Sequence, residues 1–371
     1  MRLALPLFAF VCGCYLSHRV EGGSDGGTDA RIDGRDVGVD APDASVPLDA
    51  GLERPFAWIP LATESERPPG RLSHLAVYDE RNDRMIVFGG YDPYGELGGC
   101  CIDPYLLHRD IWALDLRTER WTRVGELPHP LMALNPVVAA LDRPRNRIVV
   151  VGAVDEPNFG RVRNVAIDLT TFDTTSIPAG PWGRQWPLRA THDPVGERVI
   201  VHDAYYEVTE EAVWTLDLPR SAWTAAETEG APTLRFHTPL TQTGSSAIMY
   251  GGFEASDDRL WRLDADFRWT ALPLSGELER GRWNHRAVHE PARNSLIVYG
   301  GMFNIEHLGT YVIDLDETRG YAPVFDALGP VPPGRRDHSM ILDTTRRHAV
   351  VFGGARNDAE ALDDTWALQL P

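Results

Sequence analysis

The sequence is dominated by an internal repeat, and this repeat limits which folds are available to the chain. A run of apolar residues that ends in two glycines occurs four times, and two degenerate copies complete a series with a spacing of roughly 50 residues. The copies are residues 85–90, 149–153, 200–204, 248–252, 297–301 and 350–354. Six such units indicate six copies of one small structure that must stack on its neighbours to bury its apolar faces.

Each unit carries further shared residues on both sides of the glycines. Upstream, the stronger copies begin with an arginine and a histidine, as Arg71 and His74, Arg235 and His237, Arg282 and His285, and Arg335 and His338. Downstream, an aromatic residue is followed two and three positions later by an apolar residue and an aspartate, at 112–115, 214–217, 261–264 and 311–314. A tryptophan then follows in three units, as Trp121, Trp223 and Trp269. This order predicts four short strands in each unit.

Together these features resemble the kelch-repeat family, which includes galactose oxidase-like domains, over residues 51–371. The resemblance implies an all-β, six-bladed β-propeller whose blades pack radially. The last unit ends at Pro371 without its final tryptophan strand, whereas residues 56–61 contain an orphan copy of that strand around Trp58. We predict that this N-terminal strand pairs into the last blade and closes the ring, which removes the exposed sheet edges.

Composition excludes several classes of function. The chain has a net charge of −18, and all 36 of its basic residues are arginine. Without lysine, Schiff-base chemistry and catalysis by a lysine base are excluded. Nucleic acid is not expected as a partner, because phosphate contacts require a basic surface and no basic run is present.

The N-terminus predicts export. Residues 1–13 read as a signal peptide, since Arg2 precedes an apolar run at 3–11 that is too short to span a bilayer. Residues 11–14 resemble a bacterial lipobox, which implies lipidation of Cys14 and an exported lipoprotein at the outer membrane or cell surface. Contact with the membrane would then be through the lipid anchor only. An ordinary signal peptide with incidental cysteines is the alternative.

Residues 14–50 predict a disordered acidic tether. Glycine and aspartate recur throughout, and too few apolar residues are present to offset the entropy of ordering the segment. The like charges favour an extended chain. The spacing of the aspartates does not match an EF-hand loop, so we expect no specific calcium site. The predicted organisation is therefore a signal peptide at 1–13, a tether at 14–50 and a propeller at 51–371.

Strand alternation places the candidate binding site on one face of the ring. The start of the innermost strand and the end of the second strand share that face, so the repeated arginines would surround the central channel. By resemblance to kelch proteins that bind acidic peptides, the site would take an anionic peptide or acidic sugar. The predicted ligand-binding residues are Arg71, Arg235, Arg282, Arg335, Trp283, Tyr91, Phe253 and Phe303.

Alternatives remain for these residues. The arginines could instead satisfy carbonyl groups or pair with loop acids such as Asp92 and Glu254. The histidines lie one pleat deeper, so burial between blades is favoured over a ligand role, and we predict no metal site. Cys100 and Cys101 lie in the longest insertion, 91–109, and outside the cytosol they could form a vicinal disulfide or pair elsewhere to staple the loop.

No catalytic motif accompanies the repeat. The adjacent cysteines and repeat-spaced histidines do not assemble a galactose oxidase-like copper site, and no nucleophile elbow, phosphate loop or zinc helix is present. We predict a monomeric, cofactor-free binding module for a protein, peptide or glycan, anchored to the cell envelope. The alternative is an exported carbohydrate-active enzyme, similar to sialic acid mutarotase, with its site at the channel mouth.

Overall fold

A computed structural model describes most of the chain from Phe56 onward, and its strands follow the predicted repeat. The described ranges are 56–61, 66–92, 107–131, 138–154, 162–181, 188–203, 212–232, 237–252, 259–276, 282–303, 306–307, 309–323, 329–356 and 360–371. The predicted signal peptide and tether lie outside these ranges.

Strand β1 (Ala57–Pro60) precedes the first blade in sequence. Blades 1 to 3 follow as three four-stranded antiparallel sheets in simple chain order. Blade 1 contains β2 (Leu75–Asp79), β3 (Arg84–Phe88), β4 (Asp110–Asp115) and β5 (Arg120–Glu126). Blade 2 contains β6 (Val138–Asp142), a 3-10 turn (Arg143–Arg145), β7 (Arg147–Val154), β8 (Val162–Asp168) and β9 (Thr174–Ser176). Blade 3 contains β10 (Leu188–Asp193), β11 (Arg198–Asp203), β12 (Ala212–Asp217) and β13 (Ala222–Ala226).

Blades 4 to 6 repeat this plan with small additions. Blade 4 contains β14 (Leu240–Thr243), β15 (Ser246–Met249), β16 (Leu260–Leu263) and β17 (Trp269–Leu272). Blade 5 contains β19 (Trp283–Glu290), β20 (Ser295–Phe303), β22 (Tyr311–Asp314) and β23 (Arg319–Tyr321), with the short strands β18 (Ser275–Gly276) and β21 (Glu306–His307) at its edges. Blade 6 contains β24 (Ser339–Asp343), β25 (His348–Phe352) and β28 (Thr365–Gln369), and a hairpin of β26 (Ala355–Arg356) and β27 (Glu360–Ala361) lies beside it. Within each blade we call the strands a to d from the hub outward.

The N-terminal strand closes the ring, as the orphan tryptophan strand predicted. Strand β1 is the fourth strand of blade 6, where it pairs antiparallel with β28 and sets Trp58 opposite Leu368. The Trp58 side chain is buried, and its ring centre lies 4.8 Å from that of Tyr299 in blade 5. The all-β, six-bladed propeller is therefore confirmed, with its last blade assembled from both ends of the repeat region.

The core is divided among the six interfaces between adjacent blades. Strand b shows the reason most clearly: Ile86 and Phe88 pack against blade 2, while Met85 and Val87 pack against blade 6. Successive strand residues point to opposite sides of a sheet, and both sides of each blade are covered by a neighbour. Strand b therefore needs a continuous apolar run rather than an alternating one, which is the run that precedes each glycine pair.

The a–b and c–d turns lie together on one side of the ring, which we call the turn face. In five of the six blades strand a ends in an acid, and in three of these the acid accepts from the Nε of an arginine five residues later at 2.8–2.9 Å. These pairs are Asp79 with Arg84, Asp142 with Arg147, and Asp193 with Arg198. The aspartates that end strand c accept from backbone amides of the c–d turn, as Asp115 does from Arg117 and Thr118.

Candidate functional site

The opposite side of the ring, where strands a begin and strands b end, is the mouth face. Glycine pairs at the end of strand b adopt positive φ there, for example +65° at Gly300 and +81° at Gly301. A Cβ on Gly301 would lie 2.6 Å from the carbonyl oxygen of Trp283, so this position requires glycine. The second glycine also donates to the next blade, since the Gly301 amide binds the carbonyl of Arg335 at 2.8 Å.

Arg71 joins three strands of blade 1 at this face. Its guanidinium donates two hydrogen bonds to the carboxylate of Asp110, at 2.8 and 2.9 Å, and a third to the carbonyl of Gly89 at 3.2 Å. The indole of Trp112 donates to the same carboxylate at 2.6 Å. Strands a, b and c of the blade are thus held by one buried bidentate ion pair.

Arg335 repeats this arrangement in blade 6. It donates to both carboxylate oxygens of Asp364, at 2.6 and 2.8 Å, and to the carbonyl of Gly353 at 3.0 Å. The indole of Trp366 donates to Asp364 at 2.7 Å. Hydrogen bonds with Asp364 raise the pKa of Arg335 against the opposing effect of burial, so the guanidinium stays charged in the interior.

Arg282 occupies the same place in blade 5, where glycine replaces the acid. Its Nη1 donates to the carbonyl of Gly309 at 2.8 Å, and its guanidinium carbon lies 5.8 Å from the ring centre of Tyr311. The side chain is 1% exposed.

Three arginines of the predicted collar lie within the described ranges, and their side chains are buried in the blades. Arg71, Arg282 and Arg335 are at most 1% exposed, and they bind carbonyl or carboxylate groups of their own blades. The acids that pair with Arg71 and Arg335 lie at the start of strand c, rather than in the loops. A direct ligand contact by these side chains would require opening of the blade contacts.

The predicted aromatic site residues differ from one another in how far they are exposed. Trp283 is half-buried at the start of β19, with its ring centre 5.6 Å from that of His237. Tyr91 is buried and bridges Leu72 and Leu107 through its backbone, whereas Phe303 is 42% exposed at the end of β20. The other predicted site residues lie outside the described residues: Cys14, Cys100, Cys101, Arg235 and Phe253.

The repeated histidines are buried between blades, the alternative that the sequence favoured. Each ring packs edge-on against the aromatic residue that precedes the glycine pair of the preceding blade, with ring centres 5.3–6.0 Å apart. Burial, and then nearby arginine charges, lower the pKa of each histidine well below its ordinary value, so the rings are neutral at pH 7. The pairs are His74 with Phe352, His285 with Tyr250, and His338 with Tyr299.

His237 is not equivalent to the other three histidines, although the sequence pairs it with an arginine in the same way. His237 has a positive φ of 55°, and Ser73, Asn284 and Asp337 have similar positive values. In blades 1, 5 and 6 this positive-φ residue comes one position before the buried histidine. Thr238 takes the buried position in blade 4, and its hydroxyl donates to the carbonyl of Tyr250 at 2.6 Å. The spacing of two rather than three residues after the arginine was the signal for this difference.

The four positive-φ residues form a backbone chain around the mouth. The Asn284 amide donates to the His237 carbonyl at 2.8 Å, the Asp337 amide to Asn284 at 3.2 Å, and the Ser73 amide to Asp337 at 3.0 Å. Blades 4, 5, 6 and 1 are thereby linked in order.

The structure also brings to the mouth two cations that the sequence reasoning did not single out. The Nη1 of Arg336 donates to the Asp337 carboxylate at 2.6 Å, and the Asn284 amide group donates to the same oxygen at 3.3 Å. Arg286 follows the buried histidine of blade 5 and is half-buried. Its position in the repeat, just after the histidine, was the available signal.

The described residues do not indicate a metal centre or a membrane helix. No three His, Cys, Asp or Glu side chains within them come together as a metal site. Within the same ranges, no helix is long and apolar enough to cross a membrane.

Comparisons with known proteins agree with this architecture. The family model of the KLHDC2/KLHL20/DRC7 Kelch-repeats domain matches residues 54–252 and 236–371. Kelch domain-containing protein 10 of Xenopus tropicalis is 36% identical over 82% of this chain and 63% of its own length, and the Homo sapiens protein is 24% identical over 82% and 59%. The chain thus spans about 60% of the length of these curated relatives.

A solved structure gives the same fold. The protein titled "Structure of YjhT" superposes with a TM-score of 0.57 at 14% identity, over 82% of this chain and 99% of that one. At this identity the likeness concerns the fold alone.

Proposed function

The chain belongs to the kelch-repeat family, and on that premise we propose that it is a binding module that holds an anionic protein, peptide or glycan on its mouth face. Function within this fold lies in sites on the loops and strand ends, so the two faces of the ring are the candidate binding surfaces.

The proposal rests on a difference between the two faces in how their charged side chains are paired. On the turn face, acids are occupied by turn amides and arginines, and ion pairs also join blades, as Arg346 with Asp83 at 2.6 Å and Arg143 with Glu80 at 2.7 Å. These charged groups of the turn face therefore already have partners within the ring.

The mouth face instead presents half-buried cationic and aromatic side chains around the channel. Arg336, Arg286 and Trp283 are all half-buried there, and Asp337 is the acid that lies among them. Half-buried arginine and tryptophan side chains are the types that dominate binding energy at protein interfaces. Cations at the centre of an acidic chain favour an anionic ligand.

The test is capture of ligands from the producing cell's envelope extract by the intact chain. A Trp283→Ala, Arg336→Ala double variant is compared with Arg220→Ala, whose side chain is 79% exposed on the turn face. We expect the mouth variant to lose a captured ligand that the turn-face control retains. Equal capture by both variants would rule out the mouth face.

Anchoring at the cell envelope is part of the same proposal. It rests on the lipobox-like residues 11–14 and on the acidic, glycine-rich composition of 14–50. Incorporation of labelled palmitate by the wild type but not by Cys14→Ser is the expected result. Equal labelling of both would contradict lipidation at Cys14.

A second candidate, an enzyme that acts on an acidic sugar in the manner of a sialic acid mutarotase, is favoured by one observation. The Asp337 carboxylate lies 2.6 Å from Arg336, which supplies the acid beside a cation that such an activity would need. Anomer exchange of N-acetylneuraminate, followed by NMR, should then be accelerated by the wild type and not by Asp337→Asn. No acceleration by the wild type would exclude this candidate.

A further inference from the structure

In three blades the tryptophan of strand d is buried against the preceding blade. Its ring centre lies 4.8–5.1 Å from that of the ring at the end of the apolar run in strand b of that blade. The pairs are Trp58 with Tyr299, Trp121 with Phe352, and Trp269 with His202. These contacts cover the indoles at the circumference of the ring, where neighbouring blades diverge.

Blade 3 departs from this pattern. In blade 2, which precedes it, the aliphatic Val151 occupies the position of those rings, and the four strands of blade 2 contain no aromatic residue. The indole of Trp223 donates to the carbonyl of Pro178 at 2.9 Å, a hydrogen bond that lies at the protein surface. The ring of Trp223 is half-buried, and so it is more exposed than the other three tryptophans.

A second indole lies on the same side of the blade 3 sheet. Trp214 on β12 pairs with Ala225, and Trp223 on β13 pairs with Leu216. Paired residues point to the same side of a sheet, as do alternate residues of one strand, so the two indoles are diagonal neighbours about 7 Å apart. Both are half-buried and pack on the apolar cluster between blades 2 and 3.

The outer rim around the two indoles is uncharged. Residues 174–181, at the edge of blade 2, and residues 221–226, at the edge of blade 3, contain no charged side chain. Blade 1 is different, since three of the seven residues of its outer strand β5 are charged. An ionised ligand group would lose water at the uncharged rim without gaining a countercharge, so a neutral ligand is favoured.

Blade 2 adds a hydroxyl group to this rim. Thr175 pairs with Ala166, whose side chain belongs to the apolar cluster between blades 2 and 3. Paired residues share one side of the sheet, so Thr175 faces blade 3, and its side chain is exposed. The rim thus combines two indole faces with a group that can donate and accept hydrogen bonds.

The size of the rim argues against a protein partner. Strand β13 has five residues, which at about 3.3 Å each give a length of about 17 Å, and packed sheets lie about 10 Å apart. These dimensions give an area of about 170 Å², whereas each partner in a stable protein interface contributes about 800 Å². A thin, unbranched ligand fits the strip better.

A neutral sugar chain has the matching chemistry. Each pyranose ring has an apolar face of C–H groups and an edge of hydroxyl groups. The C–H groups pack on the electron-rich face of an indole, and the hydroxyl groups form hydrogen bonds at the edge of the contact. Two indoles on one side of a sheet offer a stacking surface to more than one sugar unit of the chain.

We propose that the outer rim at the junction of blades 2 and 3 binds a neutral glycan chain, which stacks on Trp214 and Trp223 and forms a hydrogen bond with Thr175. We call this surface the rim site. It lies on the circumference of the ring, so the inference does not depend on the mouth-face ligand proposed above.

The experiment uses the intact chain, labelled with 5-fluorotryptophan. The neutral probes are cellohexaose, chitohexaose and maltohexaose, and hexagalacturonate is the anionic comparison. Ala225→Arg places a long cationic side chain beside Trp214 and should block the rim site. Thr224→Arg is the matched control, because this neighbouring residue is also exposed but faces the other side of the sheet. Both variants retain every tryptophan.

Calorimetry measures affinity, and ¹⁹F NMR locates the bound sugar, with signals assigned from Trp214→Phe and Trp223→Phe. We expect at least one neutral hexasaccharide to bind saturably to the wild type and to Thr224→Arg, with shifts of both assigned signals. Ala225→Arg should lower the affinity at least about tenfold. Equal binding by Ala225→Arg, tighter binding of hexagalacturonate than of every neutral probe, or no saturable binding overturns the proposal.

Two further outcomes would assign the surfaces differently. Loss of sugar binding in Trp283→Ala but not in Ala225→Arg would place the sugar on the mouth face. A wild-type dimer in sedimentation that Ala225→Arg dissociates, without sugar binding, would assign the rim to a second copy of the chain. Either result overturns the rim site as a glycan site.

Discussion

The amide of Gly354 in the last blade donates a 2.9 Å hydrogen bond to the carbonyl oxygen of Arg71 in the first. The same bond, from the second glycine to the arginine that begins the next blade, joins Gly252 to Arg282 and Gly301 to Arg335 at 2.8 Å. The junction between blades 6 and 1, where the ring closes, is therefore held by the same hydrogen bond as the junctions between blades 4 and 5 and between blades 5 and 6. We therefore expect the propeller to unfold as one cooperative unit.

Replacing Asp110 by asparagine should destabilise blade 1 strongly. The change leaves the buried Arg71 guanidinium without its countercharge, and breaking a buried pair costs about 3–5 kcal/mol. Glu126→Gln is the matched control, since that carboxylate is half exposed in its pairs with Arg109 and Arg123, where the cost is about 1 kcal/mol or less. Urea unfolding measures both, and equal losses would contradict a structural role for the Arg71–Asp110 pair.

Truncating Trp58 should weaken ring closure. The side chain is 4% exposed, packs on Tyr299 and donates to the Thr310 hydroxyl at 3.2 Å, so Trp58→Ala should lose about 3–5 kcal/mol of unfolding free energy. Trp223, a half-buried residue of the outer strand of blade 3, is the control and should give a smaller loss on the same change. If Trp58→Ala cost no more than Trp223→Ala, β1 would not be an essential part of blade 6.

Alanine at Gly301 should be far more damaging than alanine at Gly244, although both glycines have positive φ. At Gly301 the new Cβ would overlap the Trp283 carbonyl and the His285 Cβ, whereas at Gly244 nothing lies within 4 Å. Backbone strain alone costs about 1–2 kcal/mol, which is our expectation for Gly244→Ala, and the overlap should add to this at Gly301. Thermal unfolding compares the two variants, and similar Tm values would show that the close approach is relieved at little cost.

Stability should fall as the pH drops below about 6.5. The buried hub histidines have lowered pKa values, and burial also lowers that of His192 to about 4. The unfolded chain takes up protons near pH 6.5 while the folded rings stay neutral, so each such histidine costs about 1.4 kcal/mol per pH unit below that value until its folded pKa is reached. Their contribution is complete above pH 6.5.

Urea unfolding at pH 7.5, 6.5 and 5.5 tests this dependence, since carboxylates titrate mainly below this range. His74→Gln should reduce the slope between pH 6.5 and 5.5. A stability that is constant or rises toward pH 5.5 would contradict the burial of neutral histidines.

The sequence predicted the blades because the features that build them are local. The apolar run, the glycine pair and the orphan strand at Trp58 each span only a few residues. One copy of the motif is weak evidence for a blade, but six copies at a regular spacing are specific. The roles of Arg71 and Arg335 could not be predicted in this way, because their partners Asp110 and Asp364 lie on strand c, beyond the variable connection that follows strand b.

The misassignment of His237 has a related cause. A shift of one residue exchanges the buried position for the positive-φ position beside it, and only the backbone dihedrals and the bond from Asn284 distinguish the two. Arg286 was missed because its charged neighbour Asp337 lies in the next blade, and the sequence does not show which side chains of two blades meet.

The direction of β1 sets how the molecule is presented to its surroundings. This strand runs antiparallel to β28 and ends at Pro60, so the polypeptide enters the ring from the turn face and leaves β1 on the mouth face, at the outer edge of blade 6. The segment ahead of Phe56 is therefore joined to the ring on the turn face. If Cys14 carries a lipid, the anchor is joined to the ring on the side opposite the mouth face, which leaves that face open to a ligand.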